Sequence, residues 1–293
     1  MVVEIIKAII IGIIEGITEW LPISSTGHMI IVDEFVQLNV SPQFLAMFLV
    51  VIQLGAIMAV IVIYFPRLNP WHSKNTVRDR SAVLTLWVKV VVASIPSAII
   101  GVLLDQWAEE HLYNSWVVAI ALIIYGIAFI VVERMHGEIK QPRHMKRQRV
   151  RSSDSTDLDK LSLSQAVGIG FFQCLAIVPG TSRSGATILG GRILGISRQA
   201  AAEFSFFMAI PVMFGWSLLK VVRTLLFGSL VVTGSEWVVL AVGVSVAFVT
   251  SLLTVRFLIG FVQKHSFRLF GYYRIALGVT VIAYFAIVRG LLG

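Results

Sequence analysis

Long apolar stretches separated by short polar ones dominate this chain, and their spacing predicts a bundle of membrane helices. Uncharged runs cover residues 41–66, 112–132, 161–182 and 237–255. Each is close to or above the ~20 residues that an α-helix needs to cross a bilayer. The pattern therefore predicts an all-α polytopic membrane protein.

Composition supports this fold class. Of the 293 residues 57% are hydrophobic and only 14% are charged, and the mean hydropathy is +0.87. Soluble domains carry about 25% charged residues. A chain with so few charges could not cover its apolar side chains with a surface that water solvates. The single cysteine, Cys174, excludes an intramolecular disulfide and a multi-cysteine metal site.

The basic residues predict which loops are cytoplasmic. The net charge is +8, and Lys and Arg concentrate in the hydrophilic stretches 67–80 and 134–160 and again in 256–274. The positive-inside rule places such segments in the cytoplasm, where they can also contact anionic membrane lipids. No aromatic-interleaved basic motif accompanies the charge, so we expect no nucleic-acid partner.

Threading the chain through these loops predicts six full spans, at about 45–65, 83–104, 114–132, 203–226, 236–258 and 272–289. The second and third form a hairpin whose outer tip carries Asp105, Glu109 and Glu110. Two apolar segments, 3–31 and 161–193, remain. If either segment crossed the membrane once, the basic loops after it would lie on the outer side. Each segment is therefore predicted to be a re-entrant helical hairpin that enters and leaves on the same side.

A weak internal repeat relates these two hairpins. A shift of 158 residues places Lys7–Ile30 on Gln165–Ile188 with six identities in 24 positions. One hairpin enters from outside and the other from inside, each followed by three spans, which predicts an inverted-topology repeat with its site near the midplane. We expect a single membrane domain over 1–293, with repeats at 1–133 and 161–293 joined by the basic cytoplasmic loop 134–160.

The first hairpin carries two acids and a helix break. Glu15 and Glu19 are four residues apart and so share one helix face, where paired carboxylates are costly in hydrocarbon and suit Mg²⁺ or Ca²⁺. The alternative is a pair of partly exposed glutamates at a helix end. Pro22 breaks the helix. The next helix opens with groups that suit an anion and with the usual proton carrier: Ser24, Ser25, Thr26, Gly27 and His28.

The second hairpin repeats the break at Pro179-Gly180 and substitutes an arginine for the acids. Arg183 can fork onto phosphate oxygens. Its neighbours offer hydroxyls and a permissive turn: Ser182, Ser184, Gly185 and Thr187. The alternative is a structural arginine paired with Glu15, Glu19 or Glu203.

Together the two hairpins supply acids for a cation, hydroxyls, a histidine and an arginine, which is the usual equipment of phosphoryl transfer. A rival interpretation is a flippase or ion-coupled transporter of a lipid phosphate, because inverted repeats with broken helices are typical of secondary transporters. A transporter, however, has little need for a hydroxyl and a histidine beside the acids.

The strings EGITEWLPISSTGHMI and PGTSRSGATI closely resemble the two signature motifs of the bacterial undecaprenyl-diphosphate phosphatase family, also known for bacitracin resistance. The resemblance implies hydrolysis of undecaprenyl diphosphate, which recycles the lipid carrier for peptidoglycan synthesis. It also implies interdigitated inverted repeats, a divalent cation, and a site that opens to the outer face of the bacterial plasma membrane.

Carried over by motif, the family's essential residues fall on Glu15, Glu19, Ser25, His28 and Arg183. We expect Glu15 and Glu19 to hold the cation, and Arg183 to grip the terminal phosphate with Ser182, Ser184 and Thr187. Ser25 is the expected nucleophile, with His28 as its base and as acid for the leaving group. Attack by water or by His28 itself stays open, and so does a homodimer.

Overall fold

The computed structural model describes residues 1–72, 76–136, 158, 160–226 and 232–292. This part of the chain contains eleven α-helices and no strand, which confirms the all-α prediction. Most of the predicted basic loop 134–160 lies outside the described residues. The helices are α1 (Val2–Thr18), α2 (Ser25–Asp33), α3 (Pro42–Ile63), α4 (Phe65–Leu68), α5 (Val77–Leu112), α6 (Ser115–Met135), α7 (Leu163–Cys174), α8 (Arg183–Ile193), α9 (Arg198–Leu226), α10 (Gly234–Lys264) and α11 (Arg268–Leu292).

Six helices are long and apolar enough to cross a membrane, namely α3, α5, α6, α9, α10 and α11. They coincide with the six predicted spans, so the chain is a multi-pass membrane protein. The end of the second span differs from the prediction: α5 continues through the acidic residues of the hairpin tip to Leu112 instead of ending at about residue 104. Only Tyr113 and Asn114 separate α5 from α6, because the Asn114 side chain caps α6 directly by accepting the N–H of Val117 at 3.0 Å.

Helices of the first half of the chain, α1 to α6, pack against helices of the second half, α7 to α11. Helix α1 packs on α10 and α7 packs on α5, so each short leading helix lies against a long helix of the other half. Helices α6 and α11 pack on each other, as do α3 and α9. This packing fits the predicted repeat, whose inverted orientation across a membrane and whose re-entrant hairpins stay predictions.

Buried ion pairs connect helices at two places. Glu133 on α6 accepts from Arg192 at 2.8 Å and from Arg198 at 2.7 Å, and so joins α6 to α8 and α9. Glu203 on α9 pairs with Arg67 on α4 at 2.7 Å. Buried charges are stable only when they are paired in this way. Glu203 is thereby assigned to a structural contact with Arg67 rather than with Arg183.

The contact between α7 and α5 leaves no room for a side chain at Gly170. A Cβ atom there would overlap the backbone oxygen of Ala93. We expect Gly170→Ala to force the helices apart and to destabilise the protein by about 1–3 kcal/mol. The midpoint of thermal unfolding in detergent, followed by loss of the monodisperse chromatographic peak, measures the effect.

Gly260→Ala is the matched control, because a Cβ at Gly260 on α10 would meet nothing within 4 Å. Alanine also has a higher helix propensity than glycine, so this variant should be as stable as the wild type or slightly more so. Equal midpoints for Gly170→Ala and Gly260→Ala would contradict the close approach of α7 and α5.

Candidate functional site

Two helix breaks of the same local design form the centre of the candidate site. Ser24 precedes α2 and Ser182 precedes α8, and each adopts a positive φ, of 75° and 69°. Each hydroxyl accepts the backbone N–H three residues on, from Gly27 at 3.2 Å and from Gly185 at 3.1 Å. These are the only non-glycine residues with positive φ in the described ranges. The breaks predicted from Pro22 and from Pro179-Gly180 are therefore present. Each is followed by a helix with the same kind of serine N-cap.

This backbone conformation is costly for a residue with a side chain. A non-glycine residue held in such a region costs roughly 1–3 kcal/mol and persists only where its surroundings fix it. The cap hydrogen bonds supply part of that constraint. Strain of this kind clusters at functional sites, and here it positions Ser25 and Arg183, which are the first residues of α2 and α8.

Glu19 joins the two breaks. One of its carboxylate oxygens, Oε1, accepts from Arg183 Nη2 at 2.7 Å, and the other, Oε2, accepts from Ser25 Oγ at 3.2 Å. The Arg183 and Glu19 side chains are only 13% and 9% exposed, so the ion pair lies largely out of solvent. Three predicted site residues, separated by up to 164 positions in the chain, are thus in direct contact.

Arg183 is held from several sides. Its Nη1 donates to the carbonyl of Ser205 at 3.0 Å, and the guanidinium lies 5.6 Å from the centre of the Trp20 ring. The Nε atom is buried and has no hydrogen-bond partner. Of the structural pairings considered from the sequence, the one with Glu19 is present. The unpartnered Nε leaves this arginine a donor to spare.

Glu15 lies one helical turn before Glu19 and is 2% exposed. Its Oε1 atom is buried without a hydrogen-bond partner. An ionised carboxylate oxygen in that state is expensive unless a proton or a cation compensates it. Glu15 and Glu19 are therefore the residues that could hold a metal ion, although no group of three or more His, Cys, Asp or Glu suited to a metal occurs in the described ranges.

Two predicted phosphate-binding hydroxyls are engaged with protein here. Ser184 Oγ lies within hydrogen-bonding distance of the carbonyls of Glu19 at 3.2 Å and Leu21 at 3.3 Å, and so ties the second break to the first. Thr187 Oγ1 contacts the carbonyl of Arg183 and, at 2.6 Å, the hydroxyl of Ser205. Both residues are almost fully buried. Their contacts fix the shape of the site, and their assignment to substrate stays a prediction.

His28 lies on the first turn of α2 with both ring nitrogens engaged. Nδ1 is 2.7 Å from the Ser24 carbonyl oxygen, and Nε2 is 2.7 Å from the hydroxyl of Tyr273 on α11. Neither contact is with Ser25, so the expected pairing of His28 with the serine stays a prediction. Thr26 is partly exposed, and Gly27 packs against Leu122.

Arg274 is a site residue that the sequence interpretation missed. It is fully buried and donates to the carbonyls of Pro22 at 3.2 Å, Gly180 at 2.8 Å and Thr181 at 2.9 Å. One side chain thus holds both breaks, and Gly185 leaves it room because a Cβ there would lie 3.1 Å from Arg274 Nη1. A signal existed: a charge inside the span predicted at 272–289 is functional by default.

Comparison with known proteins is consistent with this arrangement. The model of the family described as Bacitracin resistance protein BacA matches residues 8–280. A protein of Limosilactobacillus fermentum named undecaprenyl-diphosphatase is 54% identical, with 97% of this chain and 98% of that relative covered. Undecaprenyl-diphosphatase 1 of Clostridioides difficile is 50% identical, with 96% of both chains covered. Undecaprenyl-diphosphatase of Lactiplantibacillus plantarum is 51% identical, with 98% and 99% covered.

Proposed function

We propose that this chain, which belongs to the family of the bacitracin resistance protein BacA, hydrolyses undecaprenyl diphosphate to undecaprenyl phosphate and inorganic phosphate. The relatives that are named for this activity align with this chain over almost their whole length. The observation that carries the proposal is the chain of contacts from Arg183 through Glu19 to Ser25. These contacts bring together a guanidinium that can bind phosphate, a carboxylate and a hydroxyl that can act as the nucleophile.

Ser25 acts as the nucleophile in this proposal, and Glu19 accepts its proton. The Oγ–Oε2 contact of 3.2 Å already points the hydroxyl hydrogen at the carboxylate. Serine Oγ bonds to the terminal phosphorus as the bond from that phosphorus to the bridging oxygen breaks, and undecaprenyl phosphate departs. Water then hydrolyses the phosphoserine and releases inorganic phosphate. Glu19 thus takes the role of base that the sequence suggested for His28.

Arg183 changes partner when substrate binds. Its ion pair with Glu19 at 2.7 Å keeps the guanidinium in place before substrate arrives, and its unpartnered Nε is ready to donate. Moving onto the terminal phosphate frees Glu19 to accept the serine proton. A guanidinium forked onto phosphate oxygens also stabilises the negative charge of the transition state.

His28 supplies the proton for the departing lipid phosphate. Imidazole exchanges protons near neutral pH, and its place one turn into α2 puts it close to the anion-attracting helix N-terminus. Its contacts with Ser24 and Tyr273 leave it outside the Glu19–Ser25 pair. A division of labour between Glu19 and His28 as base and acid is consistent with those separate contacts.

Glu15 and Glu19 would hold the Mg²⁺ or Ca²⁺ ion. Mg²⁺ is commonly bound through one or two carboxylates, with phosphate oxygens and water completing its shell, so two acids suffice. The buried, unpartnered Oε1 of Glu15 fits such a ligand. When bound, the ion would neutralise charge on the diphosphate.

The membrane setting follows from the same proposal. We place the protein in the bacterial plasma membrane with the site open to the outer side, where recycling of the carrier for peptidoglycan synthesis would begin. The matching serine caps and the packing of α1 and α7 on the opposite halves support re-entrant hairpins in an inverted repeat. Undecaprenyl diphosphate would enter sideways, with its tail among the membrane lipids.

Phosphate release from undecaprenyl diphosphate by the purified protein in detergent tests the function. We expect release with Mg²⁺ or Ca²⁺ and its loss in excess EDTA, with recovery when the ion is added back. Unchanged release in EDTA would contradict the cation. If monodisperse, folded protein releases no phosphate with either ion, the phosphatase proposal fails and transport of a lipid phosphate becomes the leading alternative.

A further inference from the structure

Tyr273, on α11 and outside the predicted motifs, is in direct contact with His28. Its hydroxyl lies 2.7 Å from His28 Nε2, across 245 positions of sequence. The two rings are also stacked, with centres 5.6 Å apart and planes inclined by 8°. A hydrogen bond and a stacking contact from one side chain fix both the place and the rotation of the imidazole.

The partner of the other nitrogen determines the tautomer. The Ser24 carbonyl can only accept, so His28 Nδ1, at 2.7 Å from it, carries a hydrogen. In the neutral imidazole Nε2 is then the acceptor, and the Tyr273 hydroxyl donates to it. In the protonated imidazole Nε2 donates to the same hydroxyl oxygen. A phenol can do either, so the contact survives a change in the charge of the ring.

We infer that Tyr273 is the positioning residue of His28: its hydroxyl holds the imidazole in one orientation in both charge states, and the Nε2 hydrogen of the protonated ring is shared between that hydroxyl and the departing phosphate oxygen, to which it passes as the P–O bond breaks. This inference rests on the proposed function. A residue that gives and regains a proton must keep its geometry in both states, and the second partner of a functional histidine commonly provides this. Tyr273 acts through His28 and need not touch the substrate.

Tyr273→Phe removes the hydroxyl and keeps the ring. We expect kcat for phosphate release to fall about tenfold with little change in KM, because the orientation of His28 is lost while the substrate contacts remain. Tyr272→Phe is the matched control: it makes the same change one residue earlier, on a side chain that is 52% exposed. Equal kcat values for Tyr273→Phe and the wild type would overturn the inference.

Nitrogen NMR of protein labelled at histidine gives a readout independent of turnover. The His28 signals are those lost in His28→Gln, and we expect the Nε2 signal to move in Tyr273→Phe and to stay in Tyr272→Phe. An unmoved signal would overturn the contact, and a moved signal with full activity would overturn its role. An inactive wild type would instead refute the proposed function, and this inference with it, whereas an active wild type with an unaffected variant refutes the inference alone.

Discussion

Ser25→Ala protein releases phosphate from undecaprenyl diphosphate at least about 10³-fold more slowly than the wild type in kcat, because the attacking oxygen is gone. Initial rates of phosphate release at saturating substrate measure this effect. The change removes one hydroxyl whose hydrogen bond to Glu19 Oε2 is 3.2 Å long, so folding should be little disturbed. Substrate binding should persist, since Arg183 and Glu15 are untouched.

The matched control is Ser245→Ala. Ser245 is exposed on α10, and its hydroxyl donates to the carbonyl of Ala241 in the same helix. Its removal should leave the rate unchanged. Acid quenching of the wild type during turnover should trap phosphate on Ser25. Phosphohistidine at His28, or more than about a tenth of the activity in Ser25→Ala, would show that another nucleophile attacks.

Arg183→Lys should lower kcat/KM by about 10²-fold and Arg183→Ala by on the order of 10³-fold. Lysine keeps the positive charge beside Glu19 but cannot fork onto two phosphate oxygens, so the difference between the variants separates geometry from charge. Full kinetics of phosphate release provide both constants. Arg256→Ala, on an exposed cation of α10, is the control and should behave like the wild type.

Loss of Arg183 also leaves Glu19 buried with a single partner, Ser25. Removal of one partner from a buried pair costs about 3–5 kcal/mol, so Arg183→Ala should also unfold at a lower temperature. The double variant Glu19→Gln with Arg183→Ala should recover part of that stability and none of the activity. An Arg183→Lys protein with wild-type kcat/KM would contradict a bidentate phosphate contact.

The six membrane helices could be predicted because apolar length alone selects them. The end of α5 could not, since hydrophobicity marks the bilayer and not the end of the helix. Glutamate is a good helix former, and Glu109 and Glu110 therefore continue α5 as far as Leu112. A predicted polar loop and a polar helical extension look the same in a hydropathy pattern.

Within the site, the predictable features were local ones. Pro22 in the first break and Pro179-Gly180 in the second, with the serines that follow, indicated where α2 and α8 begin, and the predicted inverted repeat indicated that the two breaks meet. The pairing of Arg183 with Glu19 was one of the alternatives that charge alone could list. Selecting it required the packing of the two halves, which no local pattern encodes.

The roles of Ser184 and Tyr273 were out of reach for a similar reason. A hydroxyl beside an arginine suggests a phosphate ligand, yet Ser184 is 1% exposed and lies against backbone carbonyls of the other break. Burial depends on the whole fold. Tyr273 sits 245 residues from His28, in a helix whose sequence resembles any other membrane span.

Arg274 has a consequence for how the protein comes into being. The ribosome makes every other helix described here before α11, so both breaks are synthesised before the side chain that binds their carbonyls exists. Until α11 inserts, the carbonyls of Pro22, Gly180 and Thr181 lack this donor, and the strained turns that present Ser25 and Arg183 lack their shared anchor. Assembly of the site thus waits for α11, and a nascent chain cannot act on lipid before that helix is made.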